Sequence, residues 1–242
     1  MTRPADIRVH NEAQIGYYSR RIRHTIVPVL TPYVRRHLRE VLTEGRVDLA
    51  HRLLEVGCGM GRFTLPLLEA GYKVEGVDLA PFLIERLRAE AGDGCVPVVH
   101  CCDVLDAPEQ VTGPFDRVVG FFTLHHMPDL PRVFAAMARM LKPDGVLAFA
   151  EPNPFNPLYY LQIALTPGMT WAAEKGLLSI RRPIVEQAVR ASGLCDLTWR
   201  FYGVFPPFLT NLPGMATVER AIERLLPVKA LIAFQVLSAR KP

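Results

Sequence analysis

Short apolar runs alternate with amphipathic stretches along the middle of the chain. The apolar runs have the length of strands, and the stretches between them repeat apolar residues at helical spacing. The predicted strands cover residues 51–57, 72–78, 95–101, 115–122 and 146–152. The predicted helices cover residues 63–71, 81–92 and 128–141, and KPDG at residues 142–145 predicts a turn. This alternation is typical of an α/β protein with a doubly wound, mostly parallel sheet.

The two flanks of this region predict further elements. Residues 12–44 predict helices interrupted at Pro28 and Pro32, because proline ends or kinks a helix. Residues 216–226 predict another helix, and residues 229–242 predict a final strand. We expect a single domain over residues 1–242, made of a helical lid (1–47), a ligand-binding core (48–151) and substrate-side elements with the last strands (152–242).

Composition narrows the class of protein. The chain has 242 residues, half of them hydrophobic, which suits one domain with its own core. It has no run of about 18 apolar residues and its first twenty residues are polar, so we expect neither a membrane span nor a secretory signal. Its five cysteines show no C-x-x-C spacing, which argues against a disulfide framework and a zinc site and favours a reducing, cytoplasmic setting.

The charge pattern argues against a nucleic-acid partner. The net charge is +4, with basic flanks around an acidic middle, but no block of five or six like charges occurs. A solvated exterior, an anionic substrate and an anionic membrane surface all remain compatible with the basic flanks.

The stretch LEVGCGMGRF, residues 54–63, places three glycines at alternate positions after an apolar run. Such a turn brings bare backbone amides against a ligand near a helix N-terminus. The dinucleotide fingerprint G-x-G-x-x-G fails, because Arg62 stands where its third glycine would be. Glu55 would also repel a pyrophosphate, and it suits a ligand that carries positive charge.

LLEVGCGMGRF resembles the first motif of class I S-adenosylmethionine-dependent methyltransferases, and later segments agree in order and spacing over residues 50–151. In that resemblance Asp78 matches the acid that binds both ribose hydroxyls. Asp103 matches the acid at the adenine amino group, with Val104 against the ring. The resemblance implies a cofactor site formed by Glu55, Gly57, Cys58, Gly59, Gly61, Asp78, Leu79, Asp103, Val104 and Phe121.

The same resemblance implies the rest of the architecture and the methyl donor. The expected fold is a Rossmann-like, mostly parallel seven-stranded sheet with N-terminal helices, an apolar cap inserted before the last strand and an antiparallel last hairpin. The expected cofactor is S-adenosyl-L-methionine. Met60 and Asp144 depart from the family pattern, in which a small or polar residue and a glycine are usual.

Methyl transfer needs alignment of the acceptor more than a catalytic triad, but a hydroxyl or acidic carbon benefits from a base. The candidates are His125 and His126, after the fourth strand, and Glu151, at the end of the fifth. The alternative is that the histidines shape the loop and that Glu151 bonds local backbone. We predict no metal site.

The acceptor must be inferred from segments outside the core. Residues 151–171 and 201–215 are rich in proline and aromatic residues and poor in charge, and Tyr17 and Tyr18 could line the lid. These segments favour a small, substantially apolar acceptor methylated at oxygen or carbon in biosynthesis. A lipid or lipid-linked glycan reached by peripheral membrane contact is the alternative. A cofactor-binding sensor or scaffold without turnover belongs to another class, a dehydrogenase is the least favoured, and the oligomeric state stays open.

Overall fold

A computed structural model describes residues 4–19, 27–92, 96–165, 169–225 and 231–242. Seven strands form one sheet in the order β3-β2-β1-β4-β5-β7-β6. β7 runs antiparallel to both β5 and β6, and the other neighbours are parallel. The strands are β1 (Arg52–Val56), β2 (Lys73–Asp78), β3 (Val99–Cys101), β4 (Phe115–Phe121), β5 (Leu141–Pro152), β6 (Cys195–Tyr202) and β7 (Phe234–Arg240). The expected Rossmann-like sheet is confirmed.

Helices cover both faces of the sheet and extend beyond it. The described helices are α1 (Pro4–Ser19), α2 (Pro32–Glu44), α3 (Thr64–Glu69), α4 (Pro81–Ala91), α5 (Ala107–Gln110), α6 (Leu130–Met140), α7 (Pro157–Leu165), α8 (Trp171–Glu174), α9 (Arg182–Ala191), α10 (Pro207–Thr210) and α11 (Met215–Leu225). A 3-10 turn covers Leu124–His126 and another covers Lys175–Ser179. α10 and α11 lie between β6 and β7, where the cap was expected.

Two apolar clusters bury the two faces of the sheet. Leu54 and Val56 of β1 pack with α6 and α9 on one face, whereas Leu53 packs with α2 and α3 on the other. This follows from strand geometry, in which successive side chains point to opposite faces. The alternation also decides to which face of the sheet the side chain of Glu55 points.

The structure corrects several predicted elements. The first helix begins at Pro4 rather than at residue 12, and α2 begins at Pro32, which suits a first helical turn. The KPDG turn belongs to β5, whose pairing with β4 shifts register there, with Asp144 at φ 59°. Residues 20–26 of the predicted helical region and Cys95 of the predicted third strand lie outside the described residues.

The described helices include no candidate membrane span. None of them combines the length and the apolar character that crossing a bilayer requires.

Candidate active site

A cavity of about 830 Å³ opens where β1, β2, β3 and β4 end. In doubly wound sheets ligands bind at the carboxyl ends of the strands. The wall includes ten residues singled out from the sequence: Gly57, Cys58, Gly59, Asp78, Leu79, Asp103, Val104, Phe121, His125 and His126. Three others singled out, Glu55, Gly61 and Glu151, are not in the wall. Tyr18 of α1 lines the cavity and its neighbour Tyr17 does not.

The glycines of the turn after β1 serve two purposes. Gly57 has φ 76°, and a Cβ there would lie 2.2 Å from Thr123 Oγ1, so the backbone packs against the end of β4. Gly61 has φ 87°, and a Cβ there would lie 2.9 Å from the side chains of both Leu65 and Leu87. Glycine adopts positive φ without strain. Gly57 therefore shapes the cavity wall, whereas Gly61 lets α3 pack closely on α4.

Asp78 ends β2 with its carboxyl at the cavity. Oδ2 accepts a hydrogen bond from Gly59 N at 2.8 Å, and Oδ1 accepts one from Ala80 N at 2.9 Å. Burial raises the pKa of Asp78, and these backbone hydrogen bonds oppose the rise. The residue joins the glycine turn to the start of α4, and a carboxylate oxygen can accept more than one hydrogen bond.

Asp103 faces the cavity from the loop after β3. Its Oδ1 accepts a hydrogen bond from Leu105 N at 2.9 Å, and its Oδ2 accepts one from Asn11 Nδ2. Asn11 also lines the cavity. The N-terminal helix α1 therefore contacts the acid that the sequence assigns to adenine, as a lid would.

Glu55 occupies a different position from the one predicted. It is 1% exposed, and its Oε2 accepts a hydrogen bond from Thr64 Oγ1 of α3 at 2.7 Å. Burial raises its pKa to about 8, and the Thr64 hydroxyl opposes this. Strand alternation directs Glu55 to the face of α3, so its side chain does not line the cavity, contrary to the position expected from the sequence.

His125 is held between two carboxylates. Its Nδ1 lies 2.5 Å from Glu151 Oε2 and its Nε2 lies 3.4 Å from Glu174 Oε2. Burial opposes the charged imidazole, but both carboxylates overcome this and raise the pKa of His125 to about 9. His125 is therefore mostly protonated at neutral pH and cannot act as a base there.

Glu151 is fully buried and bonds the backbone that precedes His125. Its Oε1 accepts hydrogen bonds from Thr123 N at 2.9 Å and from Leu124 N at 2.8 Å. Its other oxygen pairs with His125. The structure therefore places Glu151 behind the cavity wall, where it orients the 3-10 turn. This position argues against Glu151 as the base.

His126 is half-buried and lines the cavity beside α1. Its Nε2 and the hydroxyl of Tyr18 lie 2.8 Å apart, and its carbonyl oxygen lies 2.6 Å from His10 Nε2. The rings of Tyr18 and His126 meet edge to face at 5.7 Å. Of the three base candidates, His125 and His126 line the cavity, and His126 is the one that is not bonded to Glu151.

His125, His126 and Glu174 also form the group that comes nearest to a metal site among the residues described. One ligand atom from each lies within 4.8 Å of the others. However, both ring nitrogens of His125 already face carboxylates. We interpret the group as a hydrogen-bonded ion cluster, and the expected lack of a metal stays a prediction.

The far wall of the cavity depends on α11. Glu219 is 2% exposed, and its Oε1 accepts hydrogen bonds from Val204 N and Phe205 N, both at 2.8 Å. Phe205 and the neighbouring prolines line the cavity. Nothing in the helical pattern of α11 indicated that Glu219 turns inward, so sequence reasoning missed it.

Comparisons with known proteins show which class of protein this chain resembles. Residues 54–149, which hold most of this wall, match a family model described as a methyltransferase domain. A ubiquinone biosynthesis O-methyltransferase of Xanthomonas oryzae is 35% identical over 132 residues, which are 54% of this chain and 52% of that protein. The chain thus matches about half the length of such curated relatives. Residues 54–149 therefore form a methyltransferase domain, and the motifs of this domain resemble those of S-adenosylmethionine-dependent methyltransferases.

The similarity in fold extends beyond the matched residues. A SAM-dependent methyltransferase from Archaeoglobus fulgidus superposes with a TM-score of 0.62 at 17% identity, covering 86% of this chain and 93% of that one. A protein described as the [4+2]-cyclase SpnF superposes with a TM-score of 0.58 at 21% identity, covering 86% and 81%. The methyltransferase family uses S-adenosylmethionine as cofactor, and the cyclase shows that the fold alone does not fix the reaction.

Proposed function

We propose that the chain transfers the methyl group of S-adenosylmethionine to a hydroxyl oxygen of a small, substantially apolar molecule. The observation that carries this is the position of His126 in the cavity wall. Its ring faces a space otherwise lined largely by apolar side chains and is held by Tyr18. The curated relatives named as O-methyltransferases support oxygen as the acceptor atom.

The residues at one end of the cavity fit the cofactor. Half-buried Asp78 offers carboxylate oxygens suited to a vicinal diol. Asp103 with Val104 offers a hydrogen-bond acceptor beside an apolar surface for the adenine ring. Because Gly57 and Gly59 have no side chains, the backbone at the end of β1 is accessible to a ligand. We assign Glu55 the indirect role of holding α3 through Thr64.

The reaction requires two things of the protein, which are alignment of the acceptor with the methyl group and one proton transfer. When bound, S-adenosylmethionine supplies an electrophilic methyl group on a sulfonium, which is already reactive. His126 takes the proton that the acceptor hydroxyl loses as its oxygen gains the methyl group. Tyr18 orients the imidazole, and α1 with the cap keeps water from the site.

The entrance to the cavity supports a lipid-like acceptor. Leu158, Leu161, Leu165 and Phe208 line the cavity, yet they are 53–72% exposed. Exposed apolar clusters mark sites of contact with apolar ligands or membranes. We therefore extend the proposal to an acceptor whose apolar tail lies along this rim, and peripheral contact with a membrane surface follows as part of the same proposal.

The function is tested by methyl transfer to a series of catechols. Production of S-adenosylhomocysteine is measured with catechol, with alkylcatechols of increasing chain length, and with aniline and thiophenol as non-hydroxyl controls. We expect methylation of the hydroxyls, with kcat/KM rising with tail length and rising again when phospholipid vesicles carry the longest catechol. Leu165→Ser with Phe208→Ser should reduce the gain from the tail and leave catechol itself unaffected.

Other outcomes of that series would contradict the proposal. Methylation of the amine alone would reject oxygen as the acceptor atom. Tight binding of the cofactor with no turnover of any catechol would favour a sensor or scaffold.

Asp78→Asn is expected to weaken binding of S-adenosylhomocysteine by about 1–3 kcal/mol, the scale of a lost charge-assisted hydrogen bond. The amide keeps one acceptor oxygen but removes the charge that suits two hydroxyls. Isothermal titration measures the loss, and Asp106→Asn, in the loop after β3 and outside the cavity wall, is the control. Unchanged affinity would mean that the ribose lies elsewhere.

A further inference from the structure

Arg62 brings a guanidinium to the wall of the cavity. It follows Gly61 and precedes α3, and among the described residues of the wall no other Lys or Arg occurs. Its guanidinium carbon lies 5.3 Å from the ring centre of Tyr33 and 5.3 Å from that of Phe63. Burial lowers the pKa of Arg62, with Tyr33 opposing, but a guanidinium remains protonated at neutral pH.

This cation has no acidic partner in the part of the chain that the structure describes. No Asp or Glu oxygen there lies within 4.0 Å of an Arg62 nitrogen, whereas the buried Arg36 pairs with Glu40 at 2.7 Å and with Glu223 at 2.8 Å. Arg62 is half-buried, and a charge partly removed from water without a partner is costly. Contact with aromatic faces offsets only part of that cost. An anionic group of a ligand would supply the missing partner.

The surroundings favour a carboxylate over a phosphate. A guanidinium fork matches a planar carboxylate through two parallel hydrogen bonds. A dianionic phosphate would be repelled by the acids of the wall, among them Asp78 and Glu174, and no second Arg or Lys occurs among the described residues of the wall. A single guanidinium that contacts two aromatic rings therefore suits a single negative charge attached to an otherwise apolar or zwitterionic ligand.

We propose that Arg62 forms a carboxylate-binding subsite at the aromatic end of the cavity. The inference rests on the proposed function for the identity of the ligands and names a charge that one of them must carry. Two ligands can present it: the amino-acid end of the cofactor and an acidic acceptor. Tyr33 and Phe63 both contact the guanidinium, and all three residues line the cavity.

Binding to two matched pairs of probes tests this subsite. The first pair is S-adenosylhomocysteine and 5′-methylthioadenosine, which share the nucleoside and the sulfur but differ in the amino-acid group. The second pair is 3,4-dihydroxybenzoate and catechol, titrated into protein saturated with S-adenosylhomocysteine. Each is measured by calorimetry for the unmodified chain, for Arg62→Met and for Arg62→Lys. Arg35→Met, on the exposed face of α2, is the control.

Arg62→Met should weaken the carboxylate-bearing member of one pair about 10- to 100-fold and leave its partner within about twofold, with Arg62→Lys in between. A loss confined to the first pair assigns the subsite to the cofactor, and a loss confined to the second assigns it to an acidic acceptor. Equal losses within both pairs, or none, would overturn the subsite. Because the readout is binding, a failure of methyl transfer to catechols leaves this result interpretable.

Discussion

His126→Gln should lower kcat for a catechol acceptor by about 10²- to 10⁴-fold, the range that a positioned general base contributes. Glutamine keeps a polar group near Tyr18 but cannot take up the proton of the hydroxyl. Rates under saturating cofactor measure the effect, and cofactor affinity should change by less than about threefold. His51→Gln, at a surface loop away from the cavity, serves as the control.

The pH profile separates a base from a residue that shapes the wall. In the unmodified chain kcat should rise with pH as the base loses its proton, and His126→Gln should lack that rise. Tyr18→Phe should keep the rise and reduce kcat less, because it removes only the hydroxyl that orients the imidazole. An unchanged kcat in His126→Gln would return the residue to the wall and leave alignment as the main source of rate.

The fold and the cofactor end of the cavity could be predicted because their signals are local. Each strand that was located from the sequence contains a short apolar run, and Gly57 and Gly59 stand at the end of the first one. The spacing from the glycine turn to Asp78 covers one helix and one strand, so both features must reach the same edge of a parallel sheet. The sequence pattern around the glycine turn and Asp78 therefore also gives the place of both features in the sheet.

The face on which an acid lies proved harder to predict. Glu55 precedes Gly57 by two residues and was expected at the ligand, but alternation along β1 directs it to Thr64 of α3. Counting from Leu53, which packs on that same face, would have given this result. The error came from treating nearness in sequence to the turn as nearness to the cavity.

The remaining features depend on contacts between distant parts of the chain. Glu174 meets His125 across 49 positions, and Glu219 bonds a loop through a buried oxygen although its helix looks amphipathic and exposed. β6 was not located at all, because it lies at the sheet edge and is only partly buried, which weakens its apolar pattern. Arg62 had one signal in the sequence, which is a charged residue between the glycine turn and Phe63. This signal could be interpreted only once the structure placed Arg62 in the cavity wall.

Glu151→Gln should lower the free energy of unfolding by about 3–5 kcal/mol at pH 7, the cost of breaking a buried ion pair. The amide oxygen can still accept hydrogen bonds from Thr123 N and Leu124 N, so the loss reports the charge that faces His125. Urea unfolding measures it. Glu109→Gln, which breaks the exposed pair with Arg139, should cost less than about 1 kcal/mol.

The sign of the pH dependence provides a second, independent test of this ion pair. The pKa of His125 is raised from 6.5 to about 9 in the folded chain, so its contribution, on the order of 3 kcal/mol, is complete below pH 6.5 and disappears as pH rises through 9. Glu151→Gln should flatten this decline, because one of the two carboxylates that raise the pKa is gone. If stability instead stayed constant from pH 6 to 9.5 in the unmodified chain, His125 would be neutral in the fold. It would then regain its place beside His126 as a base.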